Sequence, residues 1–336
     1  MPRRALTILM LLGLLALASV AAAMLCGSSG CFGSSTLPWQ GVDVIWSLRY
    51  PRALTAFAVG GLLALAGALM QVLLRNPLAD PYVLGVSGGA AAGAMGMMLA
   101  TPALVAAGIG WQAGWSVHAG ALAGALAAVA LLFVLARSAL LGPGTPDAGA
   151  PTGIRLILTG VMIASGFGAV ITLMLSLAPD NTLRGMIFWL MGDLDNAQLY
   201  WPALLVLAAA LLWSLCFGAH LNVLLHGDTG AALLGIRVAP LRAAALFVAS
   251  LATAAAVAVA GSIGFVGLVV PHALRLLIGN DQRLLLPASA LAGGAALVLA
   301  DLLARTIAAP LQIPVGVITA MAGVPVLLGL LARRRP

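Results

Sequence analysis

Long apolar stretches separated by short polar breaks occupy nearly the whole chain. Each stretch has about the length that a helix needs to cross the hydrocarbon core of a bilayer. The stretches lie at about residues 6–25, 53–74, 82–105, 114–136, 155–177, 199–219, 241–260, 262–278, 286–304 and 313–332. Breaks such as 75–81 carry proline and charge, which end helices. The pattern predicts an all-α integral membrane protein with about ten transmembrane helices in a single domain, residues 1–336.

Two features of this pattern are less clearly defined than the rest: the boundary at Gly261 and the nature of the first stretch. Residues 241–278 are almost continuously apolar, so the division at Gly261 is the least certain. The stretch 6–25 follows two arginines and resembles a secretory signal, but it is longer than the usual apolar core of a signal. Because further apolar stretches follow, we interpret it as a retained first span.

Composition supports a lipid-facing surface. The chain is 62% hydrophobic and 7% charged, whereas a soluble domain carries about 25% charged residues. All sixteen basic residues are arginine and all nine acidic residues are aspartate. A phosphate-binding loop of the G-x-x-x-x-G-K-[ST] type requires lysine. The chain therefore cannot contain one, and any ATP hydrolysis must belong to a partner. The net charge of +7 does not indicate nucleic-acid binding in so apolar a chain.

The arginine distribution predicts the orientation. If the N-terminus is cytoplasmic and the chain crosses ten times, twelve arginines fall on the cytoplasmic side and four outside. Positive residues favour cytoplasmic loops, and both termini then lie on the positive side. The four outer residues are Arg49, Arg52, Arg184 and Arg305.

Small and sulfur-containing residues mark two further features. Gly89 with Gly93, and Gly120 with Gly124, form GxxxG patterns, which let helix backbones approach closely in a membrane. Cys26 and Cys31 flank a Gly/Ser-rich segment. They predict a disulfide if that loop faces an oxidising compartment. A metal or haem role remains an alternative, although no histidine lies nearby in the sequence.

Two charged pairs near the outer side can each be interpreted in two ways. Arg49 and Arg52, at positions i and i+3, point the same way from a helix and could be interfacial anchors or a docking patch for carboxylates. Asp301 and Arg305, at i and i+4, form a local pair if buried. If Arg305 is exposed, it joins the outer basic patch.

Other polar positions are weaker candidates. Residues 220–240 form a long connection with helical character, which could lie along the membrane and contact a cytoplasmic partner. His118 is expected at the membrane interface, with contact to cargo as the alternative. His272 is expected to be a packed, hydrogen-bonded core residue, with a ligand role as the alternative.

Several motifs together resemble the BtuC/FecCD-type permeases of bacterial ABC importers. Each motif is modest alone, but they follow the family order over nearly the whole chain. The matching stretches are 49–52 (RYPR), 75–81 (RNPLADP) with 85–89 (GVSGG), 188–192 (FWLMG), 261–272 (GSIGFVGLVVPH) and 314–319 (PVGVIT).

The resemblance implies a type II ABC importer permease in the bacterial inner membrane, multi-pass, with both termini cytoplasmic. It implies a second copy of the chain, two cytoplasmic ATPase subunits and a periplasmic substrate-binding protein as partners, besides membrane lipid and without nucleic acid. Family arginines that dock carboxylates of the binding protein correspond to Arg49, Arg52 and Arg305. The translocation path is expected at the dimer interface, along the fifth and tenth spans.

The resemblance also implies two cytoplasmic sites. The coupling segment that receives the ATPase movement corresponds to 220–240, with its contact residues at Ala231, Leu233, Leu234 and Gly235. The cytoplasmic gate corresponds to the loop before the fifth span, at Thr152, Gly153 and Ile154. The family often has small hydroxyl residues there, so Gly153 and Ile154 depart from the pattern.

The expected function is therefore ATP-driven import of a large metal chelate by alternating access. The cargo would be a ferric siderophore, haem or cobalamin. The chain itself is not expected to be an enzyme or to hold a cofactor, since ATP and Mg²⁺ belong to the partner ATPase. One alternative is a secondary transporter driven by an ion gradient, for which Asp301 is the only candidate coupling group. A second is a membrane scaffold or respiratory subunit, for which the histidines are too scattered.

Overall fold

The structure is a computed structural model that describes residues 3–28, 30–31, 43–108, 113–137, 152–194 and 200–332. Twelve α-helices lie in these ranges. They are α1 (Arg3–Leu25), α2 (Tyr50–Leu73), α3 (Val86–Ala106), α4 (Ala113–Leu135), α5 (Thr152–Leu177), α6 (Asp180–Leu190), α7 (Tyr200–Leu224), α8 (Asp228–Leu233), α9 (Val238–Ala260), α10 (Val266–Ile278), α11 (Gln282–Thr306) and α12 (Val315–Ala332). A π-helical turn (Ile45–Arg49) leads into α2, and a 3₁₀ turn (Pro81–Leu84) precedes α3. Two short antiparallel strands, β1 (Cys26–Gly27) and β2 (Gly30–Cys31), form a hairpin after α1.

Each of the ten predicted apolar stretches contains a helix. Within the described ranges, eight helices are long and apolar enough to cross a membrane, and α10 and α12 are shorter apolar helices. The prediction of an all-α membrane fold is confirmed. Helix α6 was not predicted, because its residues were assigned to a connection between the fifth and sixth stretches.

Helix α2 lies at the centre of the bundle. It packs against α7, α9, α10 and α11 and is buried almost continuously from Ala53 to Leu73. Glycine allows the closest of these contacts: a Cβ atom on Gly60 would lie 2.3 Å from the carbonyl oxygen of Gly293, and one on Gly67 would lie 1.7 Å from that of Gly267. The backbones of α10 and α11 therefore touch α2 directly.

Helices α3 and α4 meet through the two predicted GxxxG patterns. A Cβ atom on Gly89 would lie 2.4 Å from the carbonyl oxygen of Gly124, and one on Gly93 would lie 2.0 Å from that of Gly120. These contacts confirm the prediction that the glycines serve helix packing.

The uncertain boundary at Gly261 is a true break between helices. Helix α9 ends at Ala260, and Gly261 has φ 68° and ψ −161°, a conformation that favours glycine. The hydroxyl of Tyr82 donates to the carbonyl oxygen of Ile263 at 2.9 Å and accepts from its amide at 3.0 Å. The 3₁₀ turn before α3 thus holds the broken segment in place.

Charged residues concentrate at opposite ends of α2, which spans about 36 Å at 1.5 Å per residue. One end, called here the Asp301 end, contains the hairpin, Arg52 and Asp301. The other, the Asp228 end, contains Asp228 and Arg75.

We predict that Gly93→Ala destabilises the protein by about 1–3 kcal/mol, because the added methyl group overpacks the contact with Gly120. Gly96→Ala in the same helix is the matched control, since its Cβ would meet only the terminal carbon of Met174, at 3.7 Å. Thermal unfolding in detergent measures both variants. Equal midpoints for the two variants would contradict the packing described here.

Candidate functional site

The carboxylate of Asp301 joins two helices at the Asp301 end. Arg52 on α2 donates to it from Nη2 at 2.9 Å and from Nε at 3.0 Å. Arg305, one turn along α11, places its Nε 3.0 Å from the other carboxylate oxygen. The side chain of Asp301 is 1% exposed and that of Arg305 is 6% exposed. Asp301 and Arg305 therefore form the buried local pair, the first of the two arrangements considered for them. Arg52 is an additional partner of Asp301.

The hairpin of β1 and β2 lies against the same cluster. Cys26 and Cys31 form a disulfide, which is the first of the two roles considered for them. Arg49 donates from Nη1 to the carbonyl oxygen of Leu25 at 2.8 Å and from Nη2 to that of Gly30 at 3.1 Å. The end of α1 and the hairpin therefore orient this guanidinium together.

The three predicted docking arginines have different surroundings. Arg305 is buried beneath the hairpin, where its Nη2 also donates to the carbonyl oxygen of Ala23 at 3.4 Å, so it supports the cluster from below. Arg49 is partly exposed, and Arg52 is mostly buried, with 13% of its side chain exposed; both lie nearer the surface than Arg305. Docking by these residues stays a prediction, and the geometry assigns any direct contact to Arg49 and Arg52.

A second carboxylate joins three segments at the Asp228 end. Asp228, the first residue of α8, forms ion pairs with Arg75, which follows α2, and with Arg242 in the first turns of α9. Burial raises the pKa of Asp228, but the guanidinium groups of Arg242 and Arg75 outweigh it, and the pKa is lowered overall. The carboxylate thus stays ionised and ties α8 to both long helices.

The predicted coupling residues lie on α8 and the turn after it. Leu233 is 84% exposed and Leu234 is 71% exposed, whereas Ala231 is fully buried. Gly235 has φ 81° and ends the segment. Two adjacent leucines thus project from a helix that Asp228 anchors to the bundle. A coupling role for these residues stays a prediction.

The predicted gate residues lie at the start of α5. Gly153 is next to the end of α2, since a Cβ atom there would lie 3.7 Å from Leu74, and Ile154 is 49% exposed. Thr152 begins the helix, but its side chain lies outside the described residues. The gate assignment stays a prediction.

The histidines have distinct environments. The Nδ1 atom of His118 lies 2.7 Å from the carbonyl oxygen of Ala258; because a carbonyl can only accept, Nδ1 carries the proton. His118 and Asp193 border a mostly apolar cavity of about 230 Å³ behind α6. His272 is fully buried, as expected for a packed core residue.

Two of the ion-pair connections in these clusters were not predicted from the sequence. Arg52 and Asp301 are 249 positions apart, so no local pattern connects them. The bridging role of Asp228 carries a weak signal, because an acidic residue at the start of a helix complements the helix dipole.

The FecCD transport family model matches residues 6–333. The chain is 41% identical over 313 residues to the uncharacterized ABC transporter permease protein YvrB of Bacillus subtilis, covering 92% of this chain and 83% of the relative. It is 39% identical to the hemin transport system permease protein HmuU of Yersinia pestis, covering 87% and 85%. It is also 39% identical to the vitamin B12 import system permease protein BtuC of Vibrio cholerae, covering 88% and 85%.

Solved structures give the same fold. A metal-chelate type ABC transporter in an inward-facing conformation matches with a TM-score of 0.84 and 29% identity, covering 98% of this chain and 99% of that chain. A chain of PsaBC from Streptococcus pneumoniae, in complex with Fab, matches with a TM-score of 0.56 and 18% identity, covering 87% and 94%. The second match shows similarity of fold alone.

We predict that Asp301→Asn destabilises the protein by about 3–5 kcal/mol, because it leaves two buried guanidinium groups without their counter-charge. Asp180→Asn, at the exposed start of α6, removes the same charge and should have little effect. Thermal unfolding compares the two variants, and a similar loss in both would contradict the bridging role of Asp301.

We also predict that Asp228→Asn lowers stability near neutral pH by about 1 kcal/mol or less, as for partly exposed ion pairs. A carboxyl whose pKa is lowered by folding stabilises the fold above its unfolded pKa, about 4, and loses this contribution as the pH falls through the folded value. The difference between wild type and variant should therefore shrink in acid. Unfolding midpoints of wild type and variant are measured across this pH range. A difference between them that stays constant as the pH falls would contradict the prediction.

Proposed function

The chain belongs to the FecCD transport family, and from this premise we propose that it imports a large metal chelate with energy from ATP hydrolysis on a partner subunit. The observation that carries the proposal is the family match over residues 6–333. Relatives named for hemin and vitamin B12 transport support a cargo in which a metal lies within a macrocycle; a ferric siderophore is a third candidate. The protein is a multi-pass membrane permease of the ABC importer class.

The Asp301 end faces the periplasm in this proposal, and the Asp228 end, with both termini, faces the cytoplasm. Two independent observations support that orientation. With a cytoplasmic N-terminus and ten crossings, twelve of the sixteen arginines lie on the cytoplasmic side, as the positive-inside tendency favours. The Cys26–Cys31 disulfide lies at the Asp301 end, and disulfides persist in oxidising compartments such as the bacterial periplasm.

Energy arrives from the cytoplasmic side. Without lysine the chain cannot supply a phosphate-binding loop of the usual type, so a separate ATPase subunit binds ATP and Mg²⁺. Helix α8 is the proposed contact, because Leu233 and Leu234 project from it and Asp228 connects it to α2 and α9. Movement of α8 would thereby reach the ends of two long helices.

Cargo arrives from a periplasmic binding protein. Its acidic side chains would meet Arg49 and Arg52, since guanidinium groups bind carboxylates with paired hydrogen bonds. Asp301, which is also paired with Arg305, holds Arg52 in position at this surface. Docking then depends on salt, as expected for attraction between charged surfaces.

Two copies of the chain would enclose the path for cargo. Helix α5 exposes large apolar side chains along its length, including Leu158 at 58% and Met162 at 73%, and α12 exposes Met321 at 70%. An apolar path offers few strong binding sites to a large chelate, which suits a permease that alternates between two conformations.

An ion-gradient mechanism finds less support. Such a transporter needs an ionisable group that is free to change its charge state within the membrane. Asp301 was the candidate for this role, but it is paired with Arg52 and Arg305. A structural role for the carboxylate accounts for these contacts.

Reconstituted transport tests the proposal. The chain is placed in proteoliposomes with its ATPase and binding protein, and uptake of hemin, cobalamin and a ferric siderophore is measured separately with ATP or a non-hydrolysable analogue. Uptake of one chelate only with ATP is expected. Uptake by the chain alone, or uptake driven by an ion gradient, would contradict the proposal.

The coupling role gives a separate prediction. Replacing both Leu233 and Leu234 with serine should raise the ATP consumed per cargo molecule several-fold, because the apolar contact with the ATPase is lost while the fold is retained. Leu311→Ser is the matched control, as Leu311 is 73% exposed but lies at the Asp301 end. An unchanged ratio of ATP hydrolysis to transport in the double variant would refute the coupling role.

A further inference from the structure

The hairpin of β1 and β2 is small, yet it contacts two arginines of the Asp301 end. A Cβ atom on Gly27 would lie 3.2 Å from Nε of Arg49 and 3.4 Å from Nη1 of Arg305. The hairpin backbone therefore lies directly over both guanidinium groups. Glycine permits this approach because it has no side chain at that point.

Arg49 is held by backbone carbonyl groups from the end of α1 and from strand β2 of the hairpin. Its Nη1 donates to Leu25, immediately before β1, and its Nη2 donates to Gly30 in β2. A weaker contact of 3.4 Å joins Nη1 to the carbonyl oxygen of Met24. These carbonyl oxygens hold the Arg49 guanidinium in a defined orientation.

The disulfide keeps these acceptors together. Each strand has two residues, and even a full-length isolated hairpin is only marginally stable in water. The Cys26–Cys31 bond restricts the separation of the strands and thereby the distance between the carbonyl groups of Leu25 and Gly30. Without the bond, the Gly30 acceptor in β2 would no longer be fixed relative to the Leu25 acceptor at the end of α1.

We infer that the Cys26–Cys31 disulfide is a positioning element for docking: it fixes the hairpin that orients the Arg49 guanidinium toward an acidic surface of the binding protein. The inference rests on the proposed docking function. A pre-oriented arginine binds more tightly because less conformational freedom is lost on association. The expected gain in docking affinity from the disulfide is about two- to ten-fold.

Arg52 provides an internal control for this inference. Its guanidinium is held by the carboxylate of Asp301 and by the side-chain oxygen of Gln312, and none of these groups belongs to the hairpin. Loss of the disulfide should therefore loosen Arg49 and leave these contacts of Arg52 in place.

The first experiment measures arginine reactivity in the full-length protein in lipid nanodiscs. Phenylglyoxal modification of Arg49 and Arg52 is followed by mass spectrometry, with and without dithiothreitol. The reductant transfers two electrons and two protons, so that the disulfide becomes two thiols and dithiothreitol closes to a cyclic disulfide. Modification of Arg49 should become several-fold faster and that of Arg52 should not change. The Cys26→Ser/Cys31→Ser variant should behave in the same way without reductant, and unchanged Arg49 reactivity would overturn the inference.

The second experiment measures affinity for the cargo-loaded binding protein in a double-mutant cycle. Cys26→Ser/Cys31→Ser and Arg49→Gln should each weaken docking, and the combined variant should be no weaker than Arg49→Gln alone, since both changes act through the same guanidinium. The double serine variant should keep the unfolding midpoint of the helical bundle, which separates positioning from a general loss of structure.

The outcomes separate the inference from the docking proposal. If Arg49→Gln weakens docking but the double serine variant does not, the inference fails and docking by Arg49 stands. If neither change alters affinity, docking by Arg49 fails together with the inference, while ATP-dependent uptake still tests the transport function separately. Additive losses would show that the disulfide acts elsewhere and would also overturn the inference.

Discussion

Close backbone contact between helices is the constraint on which this structure depends. In a bilayer no hydrophobic effect drives one helix onto another, so association relies on van der Waals contact and on polar pairs. Helix α2 meets this requirement at Gly60 and Gly67, where the backbones of α11 and α10 leave no room for a side chain. Helices α3 and α4 likewise make close backbone contact through their paired glycines. The central position of α2 follows from these contacts.

The charged clusters rely on that frame. Arg52 and Asp301 can share a buried ion pair because α2 and α11 are held together a few turns away, at Gly60 and Gly293. A buried pair of charges is weak evidence for stability, since desolvation opposes the attraction. The Arg52–Asp301 ion pair matters here because it fixes the position of an arginine near the surface. Asp228 has the corresponding role at the opposite end, where it joins α8 to the bundle.

Local patterns predicted the helices well and the charge pairs poorly. Apolar length identified all ten apolar helices, and the spacing of Gly89, Gly93, Gly120 and Gly124 was enough to identify a helix contact. The i, i+4 spacing also related Asp301 to Arg305. The link from Asp301 to Arg52 depends on which helices become neighbours, and a single sequence does not contain that information. Helix α6 was missed because it is short and lies between two longer apolar stretches.

We propose that the two charged ends face opposite compartments, the Asp301 end docking the binding protein and the Asp228 end contacting the ATPase. Single cysteines at exposed positions test this most directly, in a Cys216→Ser background where the remaining two cysteines are joined as a disulfide. Trp46 is 60% exposed at the Asp301 end, and Leu234 is 71% exposed at the Asp228 end. We predict that a membrane-impermeant maleimide applied to spheroplasts labels Trp46→Cys, and that it labels Leu234→Cys only after the membrane is permeabilised. Labelling of Leu234→Cys in intact spheroplasts, with Trp46→Cys protected, would contradict it.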